Sequence, residues 1–204
     1  IRTMLQMESV AAQWRAQAGK DAEEADVEAI YRVFEEKLME SLSDYAGPKP
    51  GVADTVAQLR EMGLKIGSTT GYTDSMMAVV VLEAARQGYA PDYWCSPDSV
   101  NGFGRPYPYM IFRNMQQFGI AGVHEVVKVG DTVSDIREGK HAGVLSLGVI
   151  EGSSVLGLTQ AEFAALSADG RAQACAKARQ TFLDAGADDV LQTISELPAW
   201  IVGR

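Results

Sequence analysis

The stretch Val126-Val127-Lys128-Val129-Gly130-Asp131-Thr132-Val133-Ser134-Asp135 decides how the rest of the chain is read. An apolar run closes on a glycine, and two carboxylates follow, four residues apart. A short apolar run bounded by turn residues is the pattern of a strand buried on both faces, as in a parallel sheet. In an open α/β sheet, ligands collect at the carboxyl ends of the strands. The pattern therefore sets Asp131 at a strand tip and Asp135 in the turn that opens the next helix. Gly130 has no Cβ, so backbone and ligand can approach closely there. Two acids at a strand tip suit a hard divalent cation, Mg²⁺ above all, holding phosphate oxygens. The same residues also fit a plainer role, with Asp131 or Ser134 as the N-cap of the following helix.

Working upstream, two more stretches bear on the acid pair. Ile66-Gly67-Ser68-Thr69-Thr70-Gly71 sets hydroxyls and a glycine at the end of another strand, where hydroxyl and backbone N–H groups can cradle phosphate oxygens or simply cap a helix. Gly104-Arg105-Pro106-Tyr107-Pro108 holds one cation just before a helix, and the flanking prolines stiffen its approach. A guanidinium matches phosphate in a bidentate geometry. Hydroxyl, cation and acid pair follow in that order, each on its own strand–helix unit. The order is more specific than any one member.

The remaining pattern supports this frame. Residues 1–46 read as helix only, with Met4, Met7, Val10 or Ala11 and Trp14 at helical spacing, then Val27, Ile30, Phe34, Leu38 and Leu42. Gly47-Pro48-Lys49-Pro50-Gly51 is the clearest boundary. It divides the chain into 1–46 and 47–204. Beyond it, strands are expected at 64–68, 91–95, 126–129 and 145–150, alternating with helices, which gives a parallel sheet with crossover connections. The Thr159-x-x-Glu162 capping box opens a helical region to about residue 184, a short apolar piece surrounds Val190, and a final helix covers 195–202.

Composition excludes some function classes. The chain has 204 residues and a formal net charge of −9. It has no Lys/Arg run, so no basic face for nucleic acid is expected. No apolar run approaches membrane-span length. Cys95 and Cys175 stand alone, which fits a reducing cytoplasm better than a disulfide framework. His124 and His141 lack metal-ligand spacing and read as ordinary histidines. Lys65 and Lys128 begin strands, at the end away from the site. Lys20, Lys37, Lys49 and Lys140 read as solvated.

With these residues on the page, the sequence resembles the haloacid dehalogenase superfamily of Mg²⁺-dependent phosphotransferases. The superfamily has four motifs at four strand ends: a nucleophilic Asp in D-x-[DA]-x-[TS], a Ser/Thr, a Lys/Arg and an acidic pair. Thr70, or else Thr69, matches the second, Arg105 the third, and Asp131 with Asp135 the fourth. Lys65–Thr73, Gly104–Pro108, Lys128–Asp135 and Gly152–Thr159 resemble the phosphonatase family in particular, as does arginine at the third motif. The resemblance covers essentially the whole chain. It implies a Rossmannoid parallel-sheet core over 47–204, with 1–46 as the C-terminal part of a helical cap. It implies Mg²⁺-dependent hydrolysis of phosphonoacetaldehyde to acetaldehyde and phosphate, through a lysine imine and an aspartyl phosphate, by a cytoplasmic homodimer joined through cap helices. Asp131 would ligate Mg²⁺, and Asp135 would orient Asp131 or a metal-bound water from behind. Arg105 and Thr70, with backbone donors at Gly71 and Tyr72, would bind the phosphoryl oxygens.

One departure is as informative as the match. No D-x-[DA]-x-[TS] occurs in residues 1–204. The attacking Asp, the central first strand of the sheet and the imine-forming lysine are expected upstream of Ile1. On this reading the chain is N-terminally truncated, inactive by itself and poorly stable, with apolar surface where that strand belongs. Two alternatives stay open: a phosphatase or phosphomutase of the same superfamily, and a non-catalytic relative that binds rather than reacts.

Overall fold

In the computed structural model, residues 1–203 are described; Arg204, the last residue of the expected 47–204 domain, lies outside the described residues. The chain divides into two units, Ile1–Ala46 and Gly47–Arg204.

The first unit is helical. It contains α1 (Arg2–Leu5), α2 (Glu8–Ala18) and α3 (Glu24–Tyr45). The expected first helix is therefore broken at Gln6-Met7, and α2 begins with no side-chain cap at Met7. Gly19 ends α2 in the left-handed region at φ 72°, its N–H bonded to Arg15 O. At the start of α3, Asp26 Oδ2 accepts from Glu23 N at 2.9 Å, and Asp26 N donates to Glu23 O at 3.0 Å. Arg2 pairs with Glu24, and Arg15 with Asp21 at 2.8 Å. These are exposed pairs and contribute little each.

The second unit alternates helix and strand. Its order is α4 (Val52–Glu61), β1 (Gly67–Thr69), α5 (Asp74–Arg86), β2 (Tyr93–Cys95), α6 (Tyr109–Phe118), β3 (Val127–Gly130), α7 (Val133–Ala142), β4 (Leu145–Val149), α8 (Gln160–Ala165), α9 (Ala168–Asp184), β5 (Asp189–Leu191) and α10 (Leu197–Val202). The apolar piece around Val190 is thus a fifth strand, and the helical region after Thr159 is two helices. Ser167 caps the second of these by accepting from Gly170 N, so the chain turns there.

All pairings are parallel, in two groups: β1 with β2, and β3–β4–β5 in that order. Among the described residues no ladder joins β1 to β3. The unpaired sides of both strands instead line one cleft of about 1290 Å³. Helices cover both faces of the larger group. Ile136 of α7, Ala178 and Phe182 of α9 pack with Ile150 and Val190 on one side. Leu59 of α4 and Leu197 of α10 pack with Leu147 and Leu191 on the other. Phe182 is fully buried; side chains of that size contribute about 1.5–3 kcal/mol each by leaving water. β3 packs into this core through Val127 and Val129, with its carboxyl end at Gly130-Asp131.

Candidate active site at the strand ends

The turn after β3 is built by a capping box. Thr132 is the N-cap of α7; its Oγ1 accepts from Asp135 N at 3.1 Å. Asp135 Oδ2 in return accepts from Thr132 N at 3.2 Å and Thr132 Oγ1 at 2.6 Å. Neither Asp131 nor Ser134 is the cap. Asp135 is therefore fixed on one side by its own helix, and its other oxygen is free to meet the site. Gly130 is required for this approach: a Cβ there would lie 2.2 Å from Asp135 Cβ.

Asp135 Oδ1 takes two cations. Arg105 Nη1 donates to it at 2.6 Å, and Lys128 Nζ lies 3.0 Å away. Burial by itself would raise the Asp135 pKa; the Lys128 and Arg105 charges and the hydrogen bonds from Thr132 and Arg105 override it, bringing it from 3.8 to about 2. Lys128 also contacts Glu138 Oε2 at 2.8 Å and donates to Thr69 Oγ1 at 2.6 Å. Thr69 Oγ1 in turn donates to Glu138 Oε2 at 2.8 Å.

This corrects the expectation for Lys128. Its Cα lies early in β3, but its stem runs beside α7 and carries the ammonium to Asp135 and Glu138. Sequence position gave only the start of that stem. The missed signal was Glu138, one helical turn after Asp135 on the same face of α7. Lys49 also needs correction. Its Nζ sits 2.6 Å from Asp131 Oδ2 and donates to the backbone oxygen of Gly152. The loop after β4 reaches the same place, where Ser154 Oγ donates to Asp131 O at 3.1 Å.

The two threonines divide their work. Thr69 enters the Lys128–Glu138 network. Thr70 N donates to Cys95 O at 3.3 Å, and its Oγ1 accepts from Tyr72 N at 3.1 Å, closing the turn that contains Gly71. Gly71 lies against Arg105, whose Nη2 would be 3.1 Å from a Cβ at that position. His141 holds the arginine loop from below: its Nδ1 lies 2.7 Å from Pro106 O. The structure thus brings Gly71, Arg105, Asp135, Lys128 and Thr69 into one cluster and sets Asp131 with Lys49 beside it.

The donor set fits a hard cation at Asp131. A carboxylate oxygen and a backbone carbonyl already converge on one positive centre, the Lys49 ammonium. Oxygen donors of this kind suit Mg²⁺, which is commonly held by one or two carboxylates and keeps several waters. Among the described residues no group of three or more His, Cys, Asp or Glu forms a fuller cage. No helix among them is long and apolar enough to cross a membrane.

Comparison with known proteins shows the family. The haloacid dehalogenase-like hydrolase family matches residues 2–143. The phosphonoacetaldehyde hydrolase of Lysinibacillus sphaericus is 49% identical over 201 residues, covering 98% of this chain and 75% of that protein. That of Bacillus cereus is 44% identical, covering 97% and 74%. The crystal structure of a phosphonoacetaldehyde hydrolase-like protein from Oleispira antarctica superposes with a TM-score of 0.84 at 28% identity, covering 99% of this chain and 73% of that one.

Proposed function

This chain belongs to the haloacid dehalogenase-like hydrolases and groups with their phosphonoacetaldehyde hydrolases, and from that premise we propose that its site serves C–P bond cleavage of phosphonoacetaldehyde to acetaldehyde and phosphate. One observation carries the reading. Arg105 pairs with Asp135 just past the carboxyl end of β3, where Asp131 follows Gly130, and Gly71 of the turn at the end of β1 lies against Arg105.

The residues present supply binding and electrostatics. Asp135 engages Arg105 through Nη1, which leaves the Nη2 side, next to Gly71, for phosphoryl oxygens. Thr70 Oγ1 accepts from the Tyr72 amide, so its own hydroxyl proton is available to a second oxygen. Asp131 would hold Mg²⁺, which when bound stabilises negative charge on the transferring phosphoryl group. Asp135 has both oxygens committed to protein donors and acts by orienting Arg105 and the turn that carries Asp131.

The covalent steps need two more groups, an attacking aspartate and an imine-forming lysine. Residues 1–204 hold no D-x-[DA]-x-[TS]. Lys128 and Lys49 are engaged with Asp135, Glu138 and Asp131. The cleft between the parallel edges of β1 and β3 suits one further parallel strand, which would bring an aspartate to these same carboxyl ends. In a chain that also carried both groups, lysine would condense with the aldehyde and lose water; aspartate would attack phosphorus as the C–P bond broke, its electron pair passing into the imine to give an enamine; protonation and hydrolysis would free acetaldehyde and the lysine, and water would cleave the aspartyl phosphate to phosphate and aspartate.

Acetaldehyde release from phosphonoacetaldehyde tests the reading. Residues 1–204 alone are expected to give none above a metal-free blank; release at a catalytic rate would sink the division of labour. In a chain carrying both nucleophiles, Asp131→Ala should cut turnover by about a hundredfold or more. Near-normal turnover with unchanged Mg²⁺ dependence would remove Asp131 from its role. Arg105→Lys should also be costly, because an ammonium does not replace the fork. We further propose a cytoplasmic homodimer joined through the helices of residues 1–46. The exposed Met4, Met7, Tyr31 and Phe34 and the two free thiols support that, and sedimentation equilibrium would check the mass.

A further inference from the structure

Lys128 is the one lysine of this site whose donors are all used. Its ammonium has three N–H groups. They are directed at Thr69 Oγ1 at 2.6 Å, Glu138 Oε2 at 2.8 Å and Asp135 Oδ1 at 3.0 Å. A saturated ammonium is no substrate-binding cation. Glu138, fully buried, contacts no solvent. Its Oε2 is taken by Lys128 and Thr69, and Oε1 has no hydrogen-bond partner among the described residues. A carboxylate in such a place is costly unless a cation is held against it. The four charges Arg105, Lys128, Asp135 and Glu138 sum to zero. They also share one oxygen: both cations meet at Asp135 Oδ1.

From this geometry we infer that Lys128, clamped by Glu138 and Thr69, is a positioning residue for anion binding: it fixes the Asp135 carboxylate against which Arg105 is aimed at phosphate. The inference rests on the phosphate-binding role proposed for Arg105. Lys128 itself touches no substrate. Its work is to keep Asp135 Oδ1 from rotating, so that Arg105 presents its free side toward Gly71 and the cleft. Thr69 then has a role distinct from that of its neighbour Thr70. It accepts from the lysine and donates to the glutamate, which ties the turn after β1 to the helix after β3.

The test is the binding of inorganic phosphate to the 204-residue chain, followed by calorimetry or ³¹P NMR. Thermal unfolding is recorded alongside it. Arg105→Ala serves as the control for the reading beneath the inference. If Arg105→Ala leaves phosphate affinity unchanged, the phosphate role of Arg105 fails and the inference fails with it. With that control passed, Lys128→Met is expected to lower phosphate affinity about tenfold. The double variant Lys128→Met/Glu138→Gln removes the buried charge along with its partner and should refold to near the wild-type melting temperature. Its phosphate affinity should stay as low as that of the single variant. Recovery of wild-type affinity in the double variant would mean that Lys128 only neutralises Glu138, and would overturn the positioning role. Thr69→Val changes no charge and keeps the residue volume; it should lower phosphate affinity about fivefold through the lost hydrogen bonds. Unchanged affinity there would also overturn it.

Discussion

Asp131 and Asp135 stand four residues apart, one in the turn after β3 and one in the first turn of α7, yet the two halves of the site around them differ in kind. Asp135 belongs to a floor: its side chain is 5% exposed and meets Arg105, Lys128 and Thr132. Asp131 belongs to a rim: its side chain is 40% exposed and meets one half-exposed lysine and solvent. The floor is a buried network of donors and acceptors with balanced formal charge. The rim offers a hard oxygen to whatever cation arrives. The contrast separates two tasks that the acid pair shares in sequence. A buried, saturated carboxylate builds geometry, and an open one exchanges ligands. Low dielectric strengthens the first, and water weakens the second.

The contrast is broken most directly at Gly130. Alanine there would set a methyl group 2.2 Å from Asp135 Cβ and 2.5 Å from its Cγ. Asp135 cannot retreat without leaving Arg105 and Lys128. Overpacking at a rigid site costs about 1–3 kcal/mol, and this approach is close enough to sit at the upper end. Urea denaturation of Gly130→Ala should therefore show a midpoint well below wild type. A midpoint unchanged within error would mean that the floor yields freely and that the floor–rim distinction is overdrawn.

The next effect is read with acid. Burial alone would make Asp135 harder to ionise, but the Lys128 and Arg105 charges with Thr132 bring its pKa from 3.8 to about 2. A carboxylate with a depressed folded-state pKa contributes stability that is present above its unfolded value and lost as pH falls through its folded value. The contribution is therefore full above pH 4 or so and disappears on the way down to about 2, with a size of roughly 2 kcal/mol. In wild type the unfolding free energy should fall more steeply across that window than in Asp135→Asn. Superimposable acid limbs would take Asp135 off the floor.

How much of this was legible follows the same division. The strand tip and the turn were readable, because apolar run, glycine and helix start are local signals. So were Arg105 and the Thr70–Tyr72 turn, by order along the chain. Lys128 and Glu138 were not, because their meeting depends on a long side chain of β3 reaching the second turn of α7. Glu138 reads as the polar face of a short helix until β3 is laid beneath it. Lys49 was missed for another reason: it lies within the proline–glycine boundary, where loop lysines are ordinarily solvated, and only the folded path brings it to Asp131. The fifth strand, at Asp189–Leu191, was legible only as an apolar piece; three residues are too few to show a period. The division of the strands into two groups was not readable: residues 64–68 and 126–129 look alike as strands of one parallel sheet, and only the folded chain shows that no ladder joins β1 to β3 among the described residues.

The smallest stability effect sharpens the rim. Lys49 and Asp131 form a pair with side chains 53% and 40% exposed, and exposed pairs of this sort contribute up to about 1 kcal/mol. Lys49→Met keeps the apolar stem, so its melting temperature should hardly change. Cation binding at Asp131 should change more. With Lys49 present, an arriving divalent ion meets a carboxylate already carrying a positive partner 2.6 Å away, and must displace it. Removing that partner should raise Mn²⁺ affinity, read by electron paramagnetic resonance of the free ion, by about three- to fivefold at low salt. The gain should shrink as ionic strength rises, because both groups lie in water. A fall in Mn²⁺ affinity would reverse the assignment: Lys49 would then hold the Asp131 carboxylate in its ligating orientation, and the rim would be as preorganised as the floor.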